Sequence, residues 1–261
     1  MIENINKILS SVGKHLLELK SNKRFQGAWE GNQFKAEADK LANRMMTDLL
    51  REITPGIEII SEEDKKSQKQ IRPKLYWLID PIDGTRSFVE GFDGYVTQLA
   101  LIEKNNPKIS GIYAPERREM YLSEEKKGVY LNGKVLVKNN NFNKIILIDN
   151  YEKPKGIANY LYNKLDCDKY IECGSIGLKL CKIIDGTANL FVKDVTVYVW
   201  DIAPAHLMLN ELGYKITNYN GLDITYNTNY NINGLISSNR EDLIKLTNKI
   251  VKEKIINVKK N

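Results

Sequence analysis

Apolar residues in the first part of the chain recur at helical spacing. Ile5, Ile8, Leu9, Val12 and Leu16 fall on one face of a helix over residues 3–20. A Gly/Asn-containing loop is expected near 27–33. Ala38, Leu41, Ala42, Met45, Met46, Leu49, Leu50 and Ile53 then form a second stripe, with Glu37 and Asp39 in its first turn and Pro55-Gly56 as the stop. The two methionines lie on that stripe and read as core filling, because an unbranched thioether adapts to irregular gaps.

From Ile57 onward the apolar runs shorten and become rich in β-branched and aromatic residues. Runs over 57–60, 75–79, 95–102, 109–114, 119–122, 128–131 and 144–148 predict strands. Turns such as Asn105-Asn106-Pro107 and Asn132-Gly133 make successive strands antiparallel neighbours. After the asparagine-rich stretch 139–143 the pattern alternates: helix 176–185, strand 188–193, helix 202–213, strands 214–217 and 234–237, and helix 241–256. The expected class is α/β, with an α+β half over 1–143 and an α/β half over 144–261. No internal repeat is visible.

A chain of 261 residues fits one large domain or two closely packed halves and needs no disulfide or structural metal to fold. The net charge of +6 resembles that of a polyanion binder until it is located: residues 243–261 hold six lysines and one glutamate. The rest of the chain is close to neutral, so the tail reads as an amphipathic helix with a solvated lysine face, and no specific nucleic-acid partner is expected. Cys167, Cys173 and Cys181 lack both disulfide and zinc spacing. With no export signal at Met1-Ile2-Glu3-Asn4 and no long apolar run, the expected compartment is the cytoplasm, without membrane association.

The candidate chemistry is acidic. Leu75-Tyr76-Trp77-Leu78-Ile79 runs straight into Asp80-Pro81-Ile82-Asp83-Gly84-Thr85. Two carboxylates at the end of a buried strand raise each other's pKa unless a cation lies between them, and an all-oxygen set suits Mg²⁺ or Mn²⁺ better than zinc. The Gly84-Thr85 step enters a short helix whose N–H groups suit a phosphate. Ile59-Ile60-Ser61-Glu62-Glu63-Asp64 is a second strand ending in acids, and Asp201 stands where a helix begins. His15 and His206, the chain's two histidines, both lie on predicted helices and read as structural.

Together these segments resemble the inositol monophosphatase superfamily of Mg²⁺-dependent, lithium-sensitive phosphomonoesterases. Its W-x-x-D-P-[IL]-D-G-T block is Trp77 to Thr85 here, and its W-D-x-A motif is Trp200-Asp201-Ile202-Ala203. The correspondence covers about residues 30–240, in order. The resemblance implies a layered α-β-α-β-α fold. It also implies one metal on Glu62, Asp80 and the Ile82 carbonyl, a second on Asp80, Asp83 and Asp201, and a weaker third ion that arrives with substrate. Mn²⁺ is the implied substitute for Mg²⁺, and Li⁺ the implied inhibitor. Thr85, backed by Asp39, resembles the family's water-activating pair, with Glu62 assisting. The chain departs from the family's V-T-x-A-D wording before that aspartate: Lys35-Ala36-Glu37-Ala38-Asp39 has no threonine.

Substrate is read from the second half, where Ser175, Lys179 and Lys193 stand at positions that resemble the second-phosphate grip of bacterial bisphosphate nucleotidases of the CysQ type. Two departures accompany this likeness: Ile176 replaces the usual serine, and Lys193 replaces a bidentate arginine. The implied phosphate-binding set is Asp83, Gly84, Thr85, Ser175, Lys179, Lys193 and Asp201. The implied reaction is hydrolysis of a small phosphate ester, foremost 3′-phosphoadenosine 5′-phosphate to AMP. Inositol, sugar or histidinol phosphates are the alternatives, and solvated surface lysines are the plain reading of Lys179 and Lys193. A catalytically silent phosphate- or RNA-binding scaffold is the rival of another class. Relatives of this type are monomers or homodimers.

Overall fold

Successive residues of the strand Leu75–Asp83 (β2) alternate between two cores, Tyr76 and Leu78 facing one and Trp77 and Ile79 the other. A strand buried on both faces must lie between two layers, and the computed structural model shows these layers for residues 1–21, 32–69, 71–139, 143–227 and 229–258, excepting the side chains of 32–36, 69 and 255–258. The first sheet is a meander in chain order, of β1 (Glu58–Ser61), β2, β3 (Val96–Glu103), β4 (Asn106–Ala114), β5 (Glu119–Glu124), β6 (Val129–Leu131) and β7 (Lys134–Leu136). Among the described residues of this sheet only β1 and β2 pair in parallel. The second sheet holds β8 (Ile146–Asp149), β9 (Lys169–Glu172), β10 (Leu190–Tyr198), β11 (Lys215–Asn218) and β12 (Asn231–Ser238), in the order β11-β12-β10-β8-β9.

Helices α1 (Ile2–Ser21) and α2 (Asn32–Ile53) cover the outer face of the first sheet. The short α3 (Thr85–Val89) follows β2. On the outer face of the second sheet lie α4 (Gly156–Lys164) and α7 (Glu241–Val258), while α5 (Ile176–Ile184) and α6 (Val199–Glu211) are sandwiched between the sheets. The layering is α-β-α-β-α, with a core between each outer helix pair and its sheet and a third, central core that runs from one sheet to the other through α5 and α6. Trp77 shows how local and global structure agree: fully buried, its indole N–H donates to Thr54 Oγ1 at 2.9 Å, and that hydroxyl donates to the Leu50 carbonyl at the end of α2.

Several sequence expectations shift. Helix α2 begins at Asn32, so Asp39 lies beyond its first turn, and α6 begins at Val199, ahead of the expected residue 202. The β3–β4 turn is Lys104-Asn105, both at positive φ, with Asn106 and Pro107 inside β4; the β6–β7 turn is Asn132-Gly133, as expected. Three elements were not anticipated. In α4, Ile157, Ala158 and Leu161 form a short buried stripe, while β9 is a half-exposed edge strand and β7 is only three residues long, so neither has an apolar run to announce it. Helix α7 buries Leu243, Ile244 and Val251 and turns Lys245 outward to Glu241. Residues 22–31, with most of the expected loop, and 140–142 of the asparagine stretch lie outside the described residues.

Candidate active site

Three acidic side chains from different elements meet at the edge of the two halves. Glu62 follows β1, and its N–H donates to the Ile79 carbonyl at 3.3 Å, which fixes it beside β2. Asp80 lies on β2 at the point where the pairing with β3 slips: Asp80 faces Gln98 but Asp83 faces Val96. Such a bulge accommodates Pro81, which has no N–H for the ladder, and turns the Ile82 N–H onto Asp80 Oδ1 at 3.1 Å. Asp201 sits in the first turn of α6, three residues after the cap Tyr198, and its Oδ2 accepts the Tyr198 N–H at 2.9 Å. It is therefore the third residue of the helix rather than its N-cap. Ligand oxygens of Glu62, Asp80 and Asp201 all lie within 4.8 Å of one another.

Burial raises the pKa of Asp80 well above the ordinary range, and Glu62, Asp83 and Asp201 add to it by charge repulsion. Asp201 is raised likewise, by burial and then by Asp83 and Glu62, against the Tyr198 N–H. Asp83 is also raised by burial, but with opposition from the Gly177 N–H, the Lys179 charge, the Ile176 N–H and the Ser175 hydroxyl. An all-oxygen trio, two of whose acids are buried and resist ionisation, is the donor set of a hard divalent cation, so the residues present fit a metal of that class.

The remaining candidates gather around this centre to different degrees. Gly84 adopts a left-handed conformation at the start of α3, and a Cβ there would lie 2.8 Å from Ser175 Cβ and 2.9 Å from the Gly94 carbonyl. The Thr85 hydroxyl donates to the Ile82 carbonyl at 3.1 Å. Asp39 is buried on α2, which packs against α3, while the side chains of Lys35 and Ala36 lie outside the described residues. Ser175 caps α5 through the Leu178 N–H at 3.1 Å and anchors its own N–H on Gly94.

The two lysines are not solvated surface charges. Lys179 is 1% exposed, donates to the Gly174 carbonyl and, at 3.1 Å, to the Ser175 carbonyl, and has its pKa pushed down to about 8, chiefly by burial. Lys193 donates to Asp149 Oδ1 at 3.0 Å and Asn150 Oδ1 at 2.8 Å. Asp149 and Gln98 were missed in the sequence. Gln98 is buried and directs its amide to Asp83 at 3.4 Å and Asp80 at 3.5 Å. The available signals were a glutamine within an apolar strand and, for Asp149, another strand ending in a carboxylate.

The model of the inositol monophosphatase family matches residues 2–255. The chain belongs to the inositol monophosphatase family. It is a metal-dependent phosphoric monoester hydrolase, and the oxygen trio is consistent with that dependence. Among curated relatives it is similar to the 3′(2′),5′-bisphosphate nucleotidase CysQ of Buchnera aphidicola, at 29% identity over 236 residues and 87% of each chain. It is also similar to CysQ of Escherichia coli, at 27% identity over 199 residues, covering 72% of this chain and 78% of that one. Its fold matches inositol monophosphatase-II from Staphylococcus aureus with a TM-score of 0.82 at 19% identity, covering 97% and 95% of the chains. CysQ from Bacteroides thetaiotaomicron matches at 0.78 and 18%, covering 92% and 97%. Among the described residues no helix is long and apolar enough to cross a membrane.

Proposed function

We propose that this family member is a Mg²⁺-dependent nucleotidase that converts 3′-phosphoadenosine 5′-phosphate to AMP and phosphate. The observation that carries the substrate choice is Lys193, an ammonium held by Asp149 and Asn150 with its side chain only 16% exposed, in a chain whose curated relatives include CysQ nucleotidases. A cation kept in place by a carboxylate and an amide is oriented before ligand arrives, which suits a second phosphate and has no use for a ring hydroxyl. Lys179, with its amine on two carbonyls, supports the turn before α5 rather than touching substrate.

In this reading Glu62, Asp80, Asp201 and the Ile82 carbonyl would hold metal, with Asp83 joining Asp80 and Asp201 at a second ion. Bound there, Mg²⁺ supplies charge stabilisation at the phosphoryl group and a water of lowered pKa. Because the Thr85 hydroxyl gives its proton to the Ile82 carbonyl, its oxygen is left to accept from an attacking water. Asp39, from α2, would back Thr85 in the water-activating pair, and Glu62 is the acceptor for the water's proton. The Gly84-Thr85 N–H groups receive phosphoryl oxygen. Water oxygen adds to phosphorus, the P–O bond to the ribose 3′ oxygen breaks, and that oxygen takes a proton from solvent as Glu62 returns its own to solvent.

The test is phosphate release from 3′-phosphoadenosine 5′-phosphate, inositol 1-phosphate, fructose 1,6-bisphosphate and histidinol phosphate, with and without Mg²⁺. Preference for the nucleotide, erased by Lys193→Glu, is the expected result. A winning monoester without a second phosphate would overturn the substrate assignment and leave the metal chemistry standing. Nucleic-acid retention that falls steeply with salt, without Mg²⁺-dependent turnover, would favour a silent scaffold.

A further inference from the structure

An aromatic column ends beside the acidic centre. The Arg72 guanidinium lies 4.1 Å from the Tyr230 ring centroid and also donates to the Tyr226 carbonyl. Tyr230 leans on Trp200 at 5.6 Å, and Trp200 stacks on Tyr198 with centroids 5.0 Å apart and planes within 4°. Trp200 is buried, whereas Tyr198, the last ring, is 43% exposed. Parallel rings at this separation are an offset stack, in which one face of Tyr198 is satisfied and the rest of the ring is left to solvent. The column spans both halves of the chain and fixes that ring before any ligand is present, which lowers the ordering cost of binding.

The position of this ring gives it a purpose. The Tyr198 N–H holds Asp201 Oδ2 at 2.9 Å, so the Tyr198 Cα lies no more than about 4.4 Å from that oxygen by covalent geometry. A phosphoryl group seated on the acidic trio is joined to a nucleobase through a single ribose, a reach comparable with that of a tyrosyl side chain. Resting on the nucleotidase reading above, we propose that Tyr198 is a specificity residue: a stacking platform for the base of a nucleotide substrate. An aromatic base presents a π face to such a ring, and stacking of this kind tolerates any base. The same ring discriminates against phosphate esters without a flat aromatic group.

The experiment compares 3′-phosphoadenosine 5′-phosphate with its abasic analogue, 1,4-anhydroribitol 3,5-bisphosphate, in wild type, Tyr198→Ala and Tyr198→Phe. The expected result is about a 10-fold fall in the nucleotide-to-abasic ratio of kcat/KM for Tyr198→Ala, expressed mainly in KM, with the ratio restored in Tyr198→Phe. AMP binding by calorimetry weakens in parallel for the alanine variant alone. An unchanged ratio, or an equal loss on both substrates, overturns the platform, the latter because Tyr198 would then act only by holding Asp201. Wild-type enzyme that ignores the nucleotide overturns the nucleotidase reading and the platform together, whereas nucleotide turnover that is insensitive to Tyr198→Ala overturns the platform alone.

Discussion

The carboxylate of Asp83 accepts the backbone N–H of Gly177 at 2.5 Å, joining the end of β2 in the first sheet to the first turn of α5 between the sheets. Residue 177 is a glycine for a steric reason: a Cβ there would lie 2.5 Å from Gln98 Oε1 and 2.9 Å from Asp83 Oδ2. The helix terminus places unpaired N–H groups and a partial positive charge on this buried acid, which offsets part of its burial cost.

Asp83→Asn keeps an oxygen for Gly177 but removes the charge. The variant is expected to fold, with a metal-free Tm no lower than that of wild type because burial disfavours the charge it removes, and to lose at least about a hundredfold in turnover, since charge stabilisation at a metal site is worth several kcal/mol and each 1.36 kcal/mol is tenfold. Steady-state rates at saturating Mg²⁺ beside a thermal melt check this. A wild-type rate would remove Asp83 from the reaction.

The raised pKa values of Asp80 and Asp201 set the sign of a pH effect. When the native value lies above the unfolded value of about 4, the native state holds the extra protons, so the contribution of these two acids to metal-free stability is present at low pH and is lost as pH rises through the raised values. A divalent cation removes that penalty. The Tm difference between Mg²⁺ and EDTA samples is expected to be small near about pH 5 and to widen toward about pH 8. A difference that is flat across this range would count against the trio as the metal site.

Gly84→Ala is expected to destabilise by at least about 1–2 kcal/mol, the cost of a left-handed conformation for an L-residue, with further strain from Ser175 and the Gly94 carbonyl. Because this turn delivers Thr85, turnover is expected to fall more than Tm does. Parallel urea melts and rate measurements test both; an unaltered rate would show that the turn does not position phosphate or water.

His206 shares a hydrogen bond of 2.9 Å with the Tyr226 hydroxyl, and burial pushes its pKa down to about 4 from 6.5. The unfolded chain then binds the extra proton, so this contribution to stability is present above about pH 6.5 and is lost as pH falls toward 4. His206→Gln, which can still bond Tyr226, is expected to flatten the acid side of the Tm profile while leaving turnover near neutral pH intact. An unchanged acid slope would place the titration elsewhere.

Much of this protein is legible along the chain. The stripes of α1 and α2 and the short apolar runs of the first sheet are local patterns, whereas β2 runs past the expected end at Ile79 to Asp83 through the slip at Pro81. The physical cause of those patterns lies in a few neighbouring residues, through helical period and the strand preference of β-branched and aromatic side chains. Weak elements were hidden for the same reason: β9 is an edge strand without an apolar run, and α4 presents only a short stripe.

Which distant groups share one desolvated space is set by packing, not by local sequence. Glu62, Asp80 and Asp201 each follow a readable local signal, yet their meeting within 4.8 Å depends on how α6 packs between the sheets. Lys179 looks in sequence like Lys193, but one ends on the carbonyls of its own helix start and the other on a carboxylate of a neighbouring strand. Most elements and the acidic chemistry are legible along the chain, because these rest on short-range sterics and periodicity, whereas the bulge at Pro81 emerges only where β2 pairs with β3. Partners, burial and the resulting pKa values came only with the fold, because electrostatics in a buried site is set by whatever the packing brings within a few ångströms.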